Sequence, residues 1–456
     1  MSASRKNILH EIISAYPFLG IEKDTGKFSR FSGLQAPAWI QEGPVYEIFV
    51  RSFSQQGTFA QITSKISSLQ ELGIKTIWLM PIHPVGKDGR KGKHGSPYAI
   101  RDHMTVNEHY GTKHDLKNLI SEIHAKDMKI ILDMVANHTA LDHVWLKDDP
   151  NLFYRDKHGK LTCRIGDWSD VADLDYHYPT TSSYMLEVIK YWIQDFNIDG
   201  YRCDVAGMVP LEFWEKAAET ILTLKSDFFL LAEWEGSRMH VNAFHATYDW
   251  TLYLVLKEIF RLKRPAADCL EWVKQKRQLY PENALFLRFT ENHDFPRTTE
   301  IFGMQSFYPY AALPFCLQGI PLLYAGQEVG VNKVPSLFEK EAIPWNSKSE
   351  KIYNFYKRLI QARRENHALS RDRISIIRHK QHDRVLAFYK YNNSENILVI
   401  LNFSTENIRF KVERDHNLFS GRLVNLITDG QYNSNDLNNG LDLKPFDVLL
   451  LKPDLY

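Results

Sequence analysis

At 456 residues, with 44% hydrophobic and 24% charged side chains, the chain has a globular composition and room for a large core and more than one domain. Its 56 Lys and Arg balance 55 Asp and Glu to a formal charge of +1, which gives no electrostatic basis for nucleic acid or an anionic membrane as partner. Cys163, Cys203, Cys269 and Cys316 stand alone without CxxC spacing, so neither a metal cage nor a disulfide framework is indicated. The opening "MSASRKNILHEIISAYPFLG" lacks the apolar stretch and cleavage site of a secretory signal, and no run is long and apolar enough to span a bilayer, so a cytoplasmic protein is expected.

From about residue 43 onward, strand-like and helix-like patterns alternate. "PVYEIFVRSF" reads as a strand, and "QITSKISSLQELG" follows with Ile62, Ile66, Leu69 and Leu72 at helical spacing. "KTIWLMPIHP" is a second strand. "GTKHDLKNLISEIHAKDM" is a helix opened by a Thr112/Asp115 capping box, and "KIILDMVANH" is a third strand. A segment from Thr139 to Thr181 is too long for a simple loop and reads as a small inserted domain. The helix "SYMLEVIKYWIQDFNI" then leads to the strand "IDGYRCDVA", the helix "PLEFWEKAAETILTL" and the strand "FFLLAEWE". A sixth strand is placed near His245–Leu252, then "ALFLRFTENHD", "GIPLLYAGQE" and a last helix in "SEKIYNFYKRLIQARREN". Eight β/α repeats over this length predict an α/β fold, a (β/α)8 TIM barrel, with the small domain inserted after the third strand. After residue 370, "RVLAFYKY", "ENILVILNFS", "GRLVNLIT" and "FDVLLLKP" predict a C-terminal antiparallel β-sandwich, and "DGQYNSNDLNNG" reads as a surface loop. The expected division is therefore 1–42 extension, 43–138 and 182–370 barrel, 139–181 insert, and 371–456 sandwich.

Polar residues at the carboxyl ends of barrel strands converge on one mouth. The third strand ends in Asp133, Asn137 and His138, the fourth in Arg202 and Asp204, the fifth in Glu233, and the seventh in Asn292, His293 and Asp294. Burying three carboxylates together is costly unless they are paired or used. Such a group suits glycoside hydrolysis: one carboxylate attacks the anomeric carbon while a second, kept protonated, releases the leaving oxygen. Arg202 is placed to keep Asp204 ionised, and the apolar approach "FFLLA" to Glu233 would desolvate that carboxyl and hold its proton.

The segments "DMVANH", "GYRCDVA", "AEW" and "ENHD", with "VADLDY" in the insert, resemble the conserved regions of the α-amylase family of glycoside hydrolases. The resemblance runs from about Val45 to the C-terminus and is nearest to members acting on maltodextrins and cyclomaltodextrins inside the cell. It implies Asp204 as nucleophile, Glu233 as acid/base and Asp294 as the carboxylate stabilising the charged sugar. Arg202 would orient Asp204, His138 and His293 would contact sugar hydroxyls, Tyr98 would lie under the sugar ring, and Trp234 would line the leaving-group side. Asp102 would help to hold the wall of the site. No cofactor is required by this chemistry. Calcium is compatible with Asn137 and Asp173, which fall at family ligand positions, but no further ligand is assignable. The implied partner is an oligosaccharide or α-glucan.

Two departures bear on substrate. "VAGMV" puts Gly207 and Met208 where many starch-degrading relatives carry a Lys-His pair, and Ala99 stands where several exo-acting relatives carry a carboxylate. Short maltodextrins fit these changes better than long starch. A glucan transglycosylase or a trehalose- or sucrose-type isomerase would share every catalytic residue, and a non-catalytic barrel scaffold would be expected to lack the carboxylates that are present here. Linkage and oligomeric state are left open.

Overall fold

The apolar runs after residue 43 form strands because each is covered on both faces, outward by helices and inward by facing strands. The computed structural model describes residues 8–16, 19–22, 28–371, 373–413, 419 and 421–454. Parts of the expected extension and of the expected C-terminal module lie outside them. In chain order, β1 (Val45–Ile48), β2 (Thr76–Leu79) and β3 (Lys129–Met134) are followed by the inserted pair β4 (His138–Ala140) and β5 (Val171–Asp173). Then come β6 (Gly200–Cys203), β7 (Phe229–Ala232), β8 (Ala246–Tyr248), β9 (Leu285–Arg288) and β10 (Ile320–Tyr324). All but the inserted pair close into one barrel of parallel strands in the order β1-β10-β9-β8-β7-β6-β3-β2. The expected (β/α)8 architecture is the one observed.

Local sequence chemistry sets the element ends. The helix Lys113–Ala125 opens on the capping box: Asp115 N donates to Thr112 Oγ1 at 3.2 Å, and Thr112 N donates to Asp115 Oδ2 at 2.8 Å. The helix Pro179–Phe196 begins on a proline, whose missing N–H is no loss in the first turn. The sixth barrel strand stops at Tyr248 because Asp249 caps the next helix, Trp250–Phe260, by accepting from Leu252 N at 3.3 Å. In the insert, β4 and β5 pair antiparallel with His138 opposite Asp173.

Beyond the barrel lie β11 (Ile374–Ile376), β12 (Val385–Tyr391), β13 (Asn396–Asn402), β14 (Ile408–Phe410), β15 (Arg422–Asn425), β16 (Gln431–Asn433), β17 (Leu441–Leu443) and β18 (Val448–Pro453). Six of them form one antiparallel sheet in the order β11-β12-β13-β18-β15-β16, and β14 pairs with β17 as a second layer. The two-residue period of a strand divides the large sheet between two cores. Leu386, Phe388, Val399, Leu401 and Leu450 join the barrel core, whereas Ala387, Tyr389, Leu398, Ile400 and Leu451 pack against Ile408, Phe410 and Leu443 of the second layer.

The segment "DGQYNSNDLNNG" corrects the expectation of a loop. It contains β16 and a helix, Ser434–Asn439, opened by an Asn433/Asp436 capping box, and Leu437 is buried in the second core. One buried leucine and a good cap outweigh the poor helix propensity of Asn and Asp.

At the other end of the chain, the helix Ile8–Ala15 buries Ile8, Leu9, Ile12 and Ile13 in the barrel core. Ile21 then bridges Glu235 in a short parallel contact just beyond β7. Among the described residues, no helix is long and apolar enough to cross a membrane.

Candidate active site

Strand register brings distant residues together. β3 and β6 pair with Asp133 beside Arg202, and β6 and β7 pair with Cys203 beside Ala232. Asp204 and Glu233 each stand one residue past their strands, with N–H groups bonded back to the Met134 carbonyl (2.9 Å) and the Cys203 carbonyl (3.0 Å). Both therefore open at the carboxyl mouth of the barrel, and the two-residue spacing of Arg202 and Asp204 turns them to the same side.

Arg202 is fully buried and ties the group together. Its Nη1 donates to Asp133 Oδ1 at 2.8 Å and to Asp204 Oδ1 at 2.7 Å, and its Nε donates to the Tyr248 hydroxyl at 3.2 Å. Nη2 lies 2.7 Å from Glu233 Oε2, a close contact out of line for a hydrogen bond. The rings of Trp78 and Tyr98 lie 5.2 and 5.6 Å from the guanidinium carbon and cover it.

One guanidinium is set against three buried carboxyl groups, and two of those carboxyls retain protons more tightly than usual. Burial, reinforced by the Asp204 charge and opposed by Arg202, pushes Glu233 from 4.5 to about 8. The same balance pushes Asp133 from 3.8 to about 7. Glu233 also accepts from the Val205 N–H at 2.8 Å. Val205 has φ 35° and ψ 49°, a left-handed conformation that is strained for a β-branched residue. That strain lies directly after Asp204 and aims the Val205 N–H at Glu233.

A second cluster surrounds His293. Its Nδ1 is hydrogen-bonded to buried Glu47, its Nε2 lies 2.7 Å from the Tyr98 hydroxyl, and the same nitrogen is 3.2 Å from Asp294 Oδ2. The Tyr98 hydroxyl in turn donates to Asp133 Oδ2 at 3.1 Å, linking the two clusters. Burial alone would strip the imidazole of its proton, but Asp294 and Glu47 outweigh it and raise His293 to about 9, so both ring nitrogens are donors. Asp294 has a side chain 42% exposed, the openness a substrate-facing carboxylate needs. The Asn292 side-chain oxygen accepts from the Asp294 and Phe295 N–H groups at 2.9 and 3.1 Å and shapes the turn that presents it.

On the insert's side, His138 at the start of β4 puts Nε2 3.9 Å from Asp204 Oδ2, and burial lowers its basicity. Tyr98, His138, Arg202, Asp204, Glu233, His293 and Asp294 thus share one mouth. Trp234 takes no part in the Arg202 network. It is half-buried at the rim between Gly20 and Gly207, and a Cβ on either glycine would overlap its indole. Asp102 closes its own loop, accepting from Met104 N at 2.9 Å and from the Thr105 hydroxyl at 2.6 Å.

Three partners escape the sequence reading: Asp133 as a ligand of Arg202, Glu47 behind His293, and Tyr248 on Arg202. A lone Glu inside the apolar "VYEIFV" was a usable signal for the second, because an unpaired carboxylate there would be prohibitive.

A closed parallel barrel whose strand ends gather three carboxyl groups around one guanidinium, one of them a glutamate that burial keeps protonated, has the form of an enzyme for acid/base and nucleophilic cleavage of glycosidic bonds. Comparison with known proteins agrees. Residues 30–159 and 165–351 match the family described as Alpha amylase, catalytic domain. The chain is 28% identical over 389 residues to the alpha-amylase MalA of Haloarcula japonica, covering 81% of this chain but only 57% of that protein's length. It is 23% identical over 473 residues to a cyclomaltodextrinase of Geobacillus thermopakistaniensis, covering 91% and 78% of the two chains. Among solved structures, the maltogenic alpha-amylase AmyB from Thermotoga neapolitana superposes with a TM-score of 0.83 at 30% identity, over 91% of this chain and 99% of that one. The chain belongs to the alpha-amylase family and is a glycoside hydrolase acting on O-glycosyl bonds.

Proposed function

We propose that the protein hydrolyses α-glucosidic bonds of maltodextrins or related short α-glucans in the cytoplasm, through a covalent glycosyl-enzyme on Asp204. The observation that carries this reading is the Arg202 knot, in which Asp204 and Glu233 sit 2.7 Å from neighbouring nitrogens of one guanidinium. That placement is compatible with the carboxyl separation of about 5–5.5 Å that a retaining pair requires.

In the first step the Asp204 carboxylate attacks the anomeric carbon while the glycosidic C–O bond breaks. The departing oxygen takes the Glu233 proton. Glu233 is then a carboxylate beside Arg202, which steadies its new charge, and it accepts a proton from water as that water attacks the anomeric carbon and frees Asp204. Asp294 and the His293 imidazolium, with Tyr98 and His138, hold the sugar hydroxyls and the positive charge that develops on the ring.

The leaving-group side is built by Trp234. The N-terminal segment reaches it directly, since Glu235 N donates to the Gly20 carbonyl and Glu22 N donates to the Glu235 carbonyl, each at 2.9 Å. With Gly207 and Met208 in place of long polar side chains, this wall offers a stacking surface and few hydrogen bonds, which favours short leaving groups. The Gly207→Ala substitution is expected to displace the indole and cost about 1–3 kcal/mol of stability by overpacking, read by chemical denaturation. The same variant should shift chain-length preference among maltooligosaccharides more than it lowers the rate on the shortest cleavable substrate.

A chromatographic panel of maltooligosaccharides, cyclodextrins, pullulan, isomaltose, trehalose and sucrose tests the proposal, with Asp204→Asn as control. Release of glucose or maltose from the first two substrates is expected. Rearranged disaccharides without net hydrolysis would replace this reading by that of an isomerase.

A further inference from the structure

The family resemblance offers Asn137 and Asp173 to a calcium ion, and the structure fills that place with a side chain. Asp173 is fully buried. Its Oδ2 accepts from Arg164 Nε at 2.6 Å and from the Arg164 backbone N–H at 2.9 Å. Its Oδ1 accepts from the Cys163 thiol at 3.1 Å and from Asn137 Nδ2 at 3.3 Å. Four donors occupy the lone pairs that an ion would need. Arg164 Nη2 also approaches Asn137 Oδ1, at 3.4 Å. A calcium ion takes six to eight oxygen ligands, about 2.3–2.6 Å away, with carboxylates prominent among them. Among the described residues, no group of three or more His, Cys, Asp or Glu side chains is gathered to hold a metal. These residues do not fit calcium.

We propose that Arg164 is a covalently attached substitute for the cation, and that through Asn137 it positions His138 over the reacting centre. The amide of Asn137 is fully assigned by its neighbours. Its oxygen faces the guanidinium, one N–H faces Asp173, and the other lies 3.2 Å from His138 Nδ1. An amide donor at Nδ1 requires that nitrogen to be the acceptor, so the proton of neutral His138 sits on Nε2. That N–H is the one presented toward Asp204 and a bound sugar. The β4–β5 pairing, with His138 opposite Asp173, keeps the relay rigid. A positive charge is needed at this point because Asp173 is buried beyond the reach of water and would otherwise be unpaired. The Arg164 side chain, 49% exposed, brings that charge in from the surface. The Cys163 thiol, pushed up to about 12 chiefly by burial, stays protonated and serves only as a donor.

The inference rests on reading His138 as a substrate contact, so its test has an arm that does not depend on catalysis. Thermal unfolding of the wild-type protein is measured with excess EDTA and with excess calcium, alongside kcat and KM on a maltooligosaccharide. Neither addition is expected to move Tm or kcat. A Tm that falls on chelation and returns with calcium would show that a metal holds this place, and would overturn the proposal whatever the substrate proves to be. Arg164→Ala is expected to lower kcat about 10–100-fold, as loss of an orienting outer-shell partner does, with a smaller change in KM. In a His138→Ala background the same substitution should have little further effect on kcat. Equal losses in both backgrounds would reduce Arg164 to a fold-stabilising role. If Arg164→Ala proves unable to fold, Arg164→Lys, which keeps the charge and one contact to Asp173, carries the same cycle. Because it loses the contact to Asn137 Oδ1, it should lower kcat in the wild-type protein and have little further effect beside His138→Ala, and equal losses in both backgrounds would contradict the relay.

Discussion

Asp204→Asn should lower kcat by about ten-thousand-fold or more while leaving the fold intact, because the amide keeps the shape of the side chain and removes only its nucleophilic charge. Loss of the Asp204 charge would let Asp133, 2.8 Å from Arg202, ionise more readily, so the guanidinium would not be left as an isolated buried charge. Substrate binding should change far less than turnover, since the groups that hold the hydroxyls are untouched. Asp204→Gly offers a sharper form of the same prediction. It opens room for azide, which would attack the anomeric carbon from the nucleophile's side and yield a β-glycosyl azide. Recovery of rate without that product would place the nucleophile elsewhere.

Glu233→Gln is the second large effect, with an expected loss of about 100- to 10,000-fold on ordinary α-glucans. Because fluoride leaves without a proton, the loss on α-glucosyl fluoride should be much smaller for the first step. The pH profile follows from the direction of the Glu233 shift. The acid must be protonated to assist departure, so wild-type kcat should decline as pH rises through the alkaline range near 8, and that limb should vanish in the Gln variant.

Stability should fall in the same direction, over a window that begins at lower pH. Between 4.5 and about 8 the folded state holds a proton that the unfolded state has lost, so the unfolding free energy falls as pH rises across that window and levels off above it. Glu233→Gln removes this fall. The variant should be more stable than wild type by roughly 1–3 kcal/mol at the alkaline end and nearly equal below pH 4.5. Urea denaturation at a series of pH values would measure both ends. A variant less stable than wild type throughout would mean that Glu233 is held as a carboxylate in the resting enzyme.

Much of this site is legible in the sequence, for a physical reason. Charged residues such as Arg202 and Asp204 at the end of an apolar strand cannot be hidden by packing, so their positions mark a place where chemistry outweighs stability. The strand ends then converge because parallel pairing in a barrel leaves them no other direction. Long apolar runs were equally plain, and the period-two alternation of β12, β13 and β18 shows which side chains face which core.

What escaped the sequence were partnerships set by register and by loops. Glu47 signals by its apolar setting that it has a partner, but that the partner is His293 follows only from β1 lying beside β10 and close to the end of β9. Arg164 lies in an irregular stretch with no periodicity, and nothing local ties it to Asn137 or Asp173. The N-terminal extension carries no motif that ties it to the site, yet Gly20 lies against Trp234. The helix at Ser434–Asn439 was hidden by its composition, since Asn and Asp more often signal loops, and one leucine's burial reversed the outcome.

The central claim, a double displacement through Asp204 and Glu233, is tested most directly by the anomer formed first. Proton NMR recorded immediately after adding concentrated enzyme to a maltooligosaccharide should show the α-anomer of the new reducing end appearing ahead of mutarotation. A β-anomer appearing first would mean single displacement by water, and would contradict the account.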